Sequence, residues 1–315
     1  MRKLVIDRAA IKNNLTVIKD RAAGAAIYGV LTGDGQGVGA AALAQLLRDE
    51  GIGRFAVSEV SEAQALREAG FVEEEILMLL STTDRELLEK LGDLNVVCTV
   101  SSVDTGMALN ALAGNRSTVA EAHIQVDTGM GFGGFLVSEP EKLLLAYRSM
   151  PNVALSGVYT QLHAARPNDP QAKRQLEQFQ QALDAIHQAG FETGVVHAAG
   201  SFALLHGLAP ELHGVRAGSA ILGRCRRTRD DGLKTVGYGQ APLAEVRWLP
   251  KGHTVGNETL VVLKKPTRFA VLPVGYQNGF GVGRPRDAGL WALLRRWRAG
   301  RRLTVRIGGE KARII

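Results

Sequence analysis

The sequence predicts an α/β protein: a (β/α)8 barrel of the TIM type followed by a C-terminal β-rich domain. Three observations predict it. Short apolar runs alternate with helical segments through the first two-thirds of the 315 residues. The runs are continuously apolar, as expected of strands buried on both faces of a parallel sheet. After about residue 228 the helices cease, and short strands separated by turn residues take over. Strict strand–helix alternation implies parallel strands with crossover helices. Eight repeats over roughly 200 residues fit a closed barrel better than an open doubly wound sheet.

The elements follow in order. Lys3–Ile6 is a short strand ahead of the first helix, free to pair with the late domain. Ala25–Leu31 is the first apolar run, followed by the glycine-rich GDGQGVG and a helix near Ala40–Glu50. Arg54–Val60 is strand-like, and SEAQALREAG is a helix ended by Gly70. The runs Glu75–Leu80, Val96–Ser101, Ala120–Val126, Val153–Leu162, Gly194–Ala198 and Val215–Leu222 continue the series. Helices are expected between them over 84–91, 103–113, 139–149 and 170–189. Leu243–Leu249, Glu258–Leu263 and Arg268–Val274 are the late strands, separated by PKGHT and KKP turns. The expected domains are therefore a barrel over 8–228 and a β domain over 229–315 that includes strand 1–7.

Composition narrows the function classes. Hydrophobic residues make up 45% and charged residues 22%, which is ordinary for a globular chain with a sizeable core. The formal net charge of +7 is concentrated in LLRRWRAGRRLTVRIGGEKARII at Leu293–Ile315. No zinc-ligand set or RNA-binding aromatic signature accompanies it, so it reads as a solvated amphipathic face and not as a nucleic-acid surface. Two cysteines, Cys98 and Cys225, make no disulfide framework. The first residues lack the apolar run of a signal peptide, and no window reaches the length of a membrane span, so a cytoplasmic protein is expected. The seven histidines show no metal-ligand spacing.

In a parallel barrel the chemistry sits at the C-terminal strand ends. Those ends are Thr32–Gly37, Ser58–Glu59, Ser81, Asp127–Phe132, Thr160–His163, His197–Ser201 and Arg216–Ser219. GDGQGVG lacks the lysine of a P-loop and the spacing of a dinucleotide fingerprint. Arg216, Ser201 and the Gly218–Ser219 turn suffice for a phosphate or carboxylate site. Equally, Arg216 could pair with a barrel carboxylate such as Asp127. His163 is either an inward base or a surface-loop histidine.

Seven segments, GVLTGDGQGVG, HIQVDTGMGFGGF, SGVYTQLHAA, HAAGSFALL, VRAGSAILGR, HTVGNETLV and VLPVGYQNGF, resemble the alanine racemase family of pyridoxal-phosphate (PLP) enzymes in order and spacing. They span essentially the whole chain. The resemblance implies a homodimer in which a barrel and a β domain from different subunits share each active site. It implies that Arg216 faces the pyridine nitrogen, that Ser201, Gly218 and Ser219 contact the phosphate, and that Tyr276 stands at the substrate entrance. It makes Asp127 a hydrogen-bonding orienter and His197 structural.

Other matching positions depart from the family. The lysine that forms the Schiff base with PLP is Thr32 here, and the phosphate-holding tyrosine four residues later is Gln36. The tyrosine that acts as the second base is Asn257, a side chain that does not titrate. The arginine after DTGMG is Phe132, the lysine before it is Gln125, and the barrel histidine is Gln161. The family also continues past the point matching Lys311–Ile315, so the β domain is expected to be shortened. Racemisation on PLP needs a base on each face of the carbanion, and neither matching position supplies one.

The expected function is a racemase-like scaffold that has lost lysine-dependent racemisation and serves as a PLP-independent enzyme or a ligand-binding protein. No covalently bound cofactor is expected. The alternative is an isomerase acting on alanine or a similar amino acid with PLP held non-covalently. A silent partner of an active subunit, and an altered or shortened racemase, are further readings. The expected ligand is a small molecule, an amino acid or an anion.

Overall fold

The structure is a computed structural model that describes residues 1–163, 169–208, 212–225, 231–255, 261–278 and 304–314. Asn257, the start of the Glu258–Leu263 run and most of the basic stretch lie outside the described residues.

The first helix, α1 (Arg8–Ala22), starts where Asp7 accepts a hydrogen bond from the Ala10 N–H, a standard N-cap. Its buried face, Ile11, Leu15 and Ile18, leads into β2 (Ala26–Val30), the first barrel strand; β1 (Lys3–Ile6) precedes the helix. The alternation then runs α2 (Thr32–Gly37), α3 (Ala40–Asp49), β3 (Arg54–Val57), α4 (Val60–Glu68), β4 (Glu75–Met78) and α5 (Arg85–Asp93). It continues with β5 (Cys98–Val100), α6 (Val103–Asn115), β6 (Ala120–Asp127), β7 (Phe135–Leu136), α7 (Pro140–Ser149) and β8 (Val153–Tyr159). It ends with α8 (Pro170–Gln188), β9 (Val195–Gly200), α9 (Ser201–Leu205) and β10 (Gly214–Ala217).

Eight of these strands form a parallel sheet in the order β4-β3-β2-β10-β9-β8-β6-β5, with the two-residue β7 added beside β6. The sheet closes through one parallel bridge, Leu77 to Val97, in which Met78 N–H bonds to Val97 O at 2.9 Å and Val97 N–H to Ile76 O at 2.8 Å. The expected (β/α)8 barrel is therefore present.

Several boundaries differ for local reasons. The Val153–Leu162 run stops being strand at Tyr159. The Val215–Leu222 run is strand only to Ala217, because the Gly218 and Ala220 N–H groups turn aside to the Ser201 hydroxyl. The glycine-rich segment after β2 is a turn of left-handed helix: Gly33, Asp34, Gly35 and Gln36 have φ of 64°, 52°, 62° and 57°. L-residues resist that conformation and glycine does not, which accounts for the two glycines among the four.

The outer core, between sheet and helices, is aliphatic and includes Ile11, Leu47, Phe55, Leu66, Ile76 and Ile186. The barrel interior differs. A small apolar cluster of Tyr28, Ala56, Leu77 and Val97 shares it with the buried polar groups Thr99, His123, His197 and Arg216.

The chain divides into two compact units, Ile6–Tyr238 and Met1–Val5 with Gly239–Ile315. β1 pairs with β11 (Gly237–Gln240). In the smaller unit β12 (Glu245–Leu249) pairs antiparallel with β15 (Thr267–Val271), β13 (Thr254–Val255) with β14 (Val261–Val262), and β16 (Thr304–Ile307) with β17 (Glu310–Arg313). Arg2 donates to Pro273 O and to Asn278 Oδ1 within it. That strand-rich texture is as expected.

Candidate functional site

Arg216 is the centre of the barrel's polar interior. It is 4% exposed, and among the described residues its hydrogen-bond partners include no carboxylate. One guanidinium nitrogen donates to His197 Nδ1 at 2.6 Å and to His197 O at 3.3 Å. The other donates to Thr160 O at 2.7 Å and to Gln161 Oε1 at 2.8 Å. The guanidinium also lies over the Tyr159 ring, 5.0 Å from its centroid. The pairing of Arg216 with Asp127 considered from sequence is therefore not what forms. Burial lowers the arginine's pKa to about 10, so it stays charged at neutral pH, held by neutral acceptors and an aromatic face.

Below Arg216 the hydrogen bonds fix a tautomer. Arginine has no acceptor, so His197 Nδ1 must accept. His197 then carries its proton on Nε2, which points at His123 Nδ1 at 3.0 Å. Burial drives the His197 pKa well below the usual value and that of His123 down to about 4, and the Arg216 charge adds to both shifts. Two neutral imidazoles thus stand in line under one cation. Tyr28 and Tyr159 stack on either side of the His197 ring at 5.1 and 4.9 Å.

The second part of the site is the turn after β2. Thr32 opens α2 and is half-buried. The Glu62 carboxylate holds this turn from α4: it accepts the Gly33 N–H, and its other oxygen accepts the N–H of Ser58 at 2.8 Å and of Glu59 at 3.2 Å. Asp34 Oδ1 accepts the Ala40 N–H at 2.8 Å and ties the turn to α3. Gln36 reaches the turn after β10: a Cβ on Gly218 would come within 2.7 Å of Gln36 Nε2. Arg224 donates to the Gln36 carbonyl at 2.9 Å. Beside them Ser201 Oγ accepts the N–H groups of Gly218 at 2.9 Å and Ala220 at 3.2 Å, which leaves its own hydroxyl proton to donate. Gln36 Nε2, the Ser201 hydroxyl and the Gly218 backbone therefore meet at one corner.

Asp127 and His163 lie elsewhere. Asp127 organises its own loop, with Oδ1 accepting the N–H groups of Gly129, Met130 and Gly131 at 2.8, 2.9 and 3.1 Å. His163 faces α8: Nδ1 is 2.8 Å from Gln175 Oε1, and Nε2 is 2.6 Å from Gln171 Oε1. Gln125 donates to Phe132 O at 3.3 Å, while the Phe132 residue is 73% exposed. Tyr276 lies in a short 3-10 turn, and Asn257 is outside the described residues.

Sequence reading missed Glu62, His123, Tyr159, Arg224 and Gln175. A signal existed for two of them: His123 and Tyr159 sit among apolar neighbours on strands, at inward positions. Nothing local marked Glu62 or Arg224. Among the described residues no group of histidine, cysteine and carboxylate side chains could hold a metal ion, and no helix is long and apolar enough to cross a membrane.

Comparison with known proteins places the fold. The family model described as alanine racemase, N-terminal domain, matches residues 6–225. The alanine racemase of Carboxydothermus hydrogenoformans is 31% identical over 280 residues, covering 86% of this chain and 74% of that protein. That of Clostridium tetani is 29% identical over 285 residues, covering 87% and 72%. Among solved structures, the alanine racemase of D-cycloserine-producing Streptomyces lavendulae superposes with a TM-score of 0.85 at 26% identity, covering 99% of this chain and 80% of that one. The Bartonella henselae alanine racemase with covalently bound pyridoxal phosphate has a TM-score of 0.78 at 22% identity, covering 89% and 77%, and supports the fold.

Proposed function

The chain belongs to the alanine racemase family, and from that premise we propose that it is a lysine-free member: its barrel keeps a cradle for an anion but has lost lysine-dependent racemisation on PLP. We read 8–228 as the ligand-binding barrel and 229–315 with strand 1–7 as the β domain of a cytoplasmic homodimer. The observation that carries the reading is Thr32. It opens a left-handed turn still held by Glu62 and Asp34, yet it bears a hydroxyl, which cannot form an imine. The Bartonella henselae enzyme carries PLP covalently; a threonine offers no such bond.

The residues present fit the phosphate end of PLP better than its reactive end. Gln36 Nε2 beside Gly218 and the hydroxyl proton of Ser201, whose oxygen takes the Gly218 and Ala220 N–H groups, supply donors for a phosphate. Arg216 supplies a buried positive charge. When bound, PLP would supply an electron sink for a carbanion. This chain's own residues would hold the phosphate and orient the ring without exchanging a proton. Gln125, Gln161 and Asn257 do not titrate, and the His197 and His123 imidazoles are buried and neutral. A base on each face normally contributes about 10² to 10⁴ in rate, so racemisation by this chain should be very slow.

A second reading rests on the same donor corner: an isomerase acting on alanine or a similar amino acid with PLP held non-covalently. The experiment that separates the two is an absorbance titration with PLP, with and without D- and L-alanine, beside Thr32→Lys. The leading reading expects no covalent-PLP band in the wild type and its appearance in Thr32→Lys. Amino-acid-dependent spectral change in the wild type, with measurable racemisation, would replace it by the second.

A further inference from the structure

Beside the barrel mouth, between the end of β6 and the first turns of α8, lies a cleft of about 430 Å³ whose lining includes Asp127, Ser138, His163, Gln171, Arg174 and Gln178. That is within the usual size of small-molecule sites. Its floor is built. Gln175 is 2% exposed and its carboxamide is locked: Nε2 donates to Thr128 Oγ1 at 3.2 Å and to Gln161 O at 3.2 Å, while Oε1 accepts the His163 backbone N–H at 3.1 Å. With that oxygen facing it, His163 Nδ1 must carry a proton. The other nitrogen, Nε2, is then an acceptor, and among the described residues it meets Gln171, whose side chain makes no other hydrogen bond there and can turn its N–H to the ring.

The charges on the cleft point one way. Asp127 is negative, but three backbone N–H groups compensate it. Arg174 is exposed and makes no ion pair among the described residues, whereas its neighbour Lys173 pairs with Glu177. The planar guanidinium of Arg174 and the carboxamide N–H groups of Gln171 and Gln178 offer donors to the cleft, while the His163 ring spends its N–H on Gln175. Such a set matches a carboxylate, which takes two parallel N–H bonds from arginine.

We propose that this cleft is a second ligand site, separate from the Gln36–Ser201–Gly218 corner, that binds the carboxylate group of a small organic acid through Arg174, with the His163 ring beside it as the reporter. Free amino acids and simple hydroxy acids share that chemistry. The proposal does not depend on how PLP is handled, because no residue of the cleft belongs to the Thr32–Gly218 corner.

The test is a titration of the full chain, selectively labelled at histidine, followed by NMR of the His163 ring. Lactate, alanine and methylammonium are added separately. Lactate and alanine should shift the His163 resonances with saturation, and methylammonium should not. Equal response to both acids assigns recognition to the carboxylate; a response to alanine alone would show that the ammonium is read, and would overturn the assignment. Arg174→Gln should weaken the carboxylate response about tenfold or more, and Arg174→Lys should recover part of it. Both substitutions are on an exposed side chain, so loss of fold is not expected; an unchanged spectrum of the buried His197 ring checks this. No shift at His163 at roughly 10 mM acid, or a shift that Arg174→Gln leaves intact, would overturn the proposal.

Discussion

At the residue scale the barrel interior sets the pH dependence. His123 and His197 are neutral and buried when the protein is folded, with pKa values lowered by burial and by Arg216. Unfolded, each would titrate near 6.5. As pH falls through that value the unfolded chain therefore binds more protons, and stability falls from about pH 7 toward 4; well above 6.5 these groups contribute no slope. The loss should be about 2 kcal/mol per buried histidine at pH 5, read as a fall in urea midpoint between pH 7 and pH 5. A flat midpoint over that range would mean that the two rings are not buried neutral. Arg216 is the more drastic position. Arg216→Leu removes the donor from His197 Nδ1, Thr160 O and Gln161 Oε1 together, and should cost about 3 kcal/mol or more through acceptors left buried and unpaired. Of this site, Arg216, Ser201 and the Gly218–Ser219 turn were legible in the sequence, because a charged or small residue at the end of an apolar run stands out. The orientation of His163 was not legible. Nothing in TQLHAA tells that the ring turns to a glutamine twelve residues later on α8.

At the element scale, two contacts control the local structure of the site. The left-handed α2 turn contains Asp34 and Gln36 at positive φ, and it survives because Glu62 and Asp34 satisfy backbone donors at both ends. Glu62→Ala should destabilise the protein by about 1 to 2 kcal/mol and speed amide exchange at Gly33, while Glu62→Gln, which keeps an acceptor oxygen, should do less. Unchanged exchange at Gly33 in Glu62→Ala would dismiss this account. The second contact is in β8, where a Cβ on Gly157 would lie 2.7 Å from the His123 ring. That ring is clamped by His197, so Gly157→Ala should cost about 1 to 3 kcal/mol as overpacking, measured by denaturation. The sequence located the strands to within a few residues because buried parallel strands are apolar throughout. It could not foresee a left-handed helical turn: glycine-rich text shows that unusual dihedrals are allowed, not which ones are used.

At the scale of the whole barrel, closure is uneven. β6 and β8 pair at Ala120 through Gln125, whereas β4 and β5 meet through the single Leu77–Val97 bridge. Amide exchange at Val97 and Met78 should therefore be faster than at Ile124 and Val158, although all four are buried. Comparable protection at both places would show that the helices α4 to α6, and not the strand bonds, hold the barrel shut. Eight alternating units made the closed fold readable from the chain. Which pair of neighbours closes it loosely depends on the tilt and register of the strands, and no residue type encodes that.

The weak seam lies between strands consecutive in the chain, with only α5 and a short link joining them. A chain divided between Leu94 and Asn95 would lose no strand. One piece would carry β2 to β4, and the other β5, β6, β8, β9 and β10. Their strongest reunion would be along β2 and β10, in register from Gly214 opposite Ala26 to Ala217 opposite Gly29. Two such peptides are expected to complement each other, and Tyr28 and Arg216, paired across that junction, would come back together only when both are present.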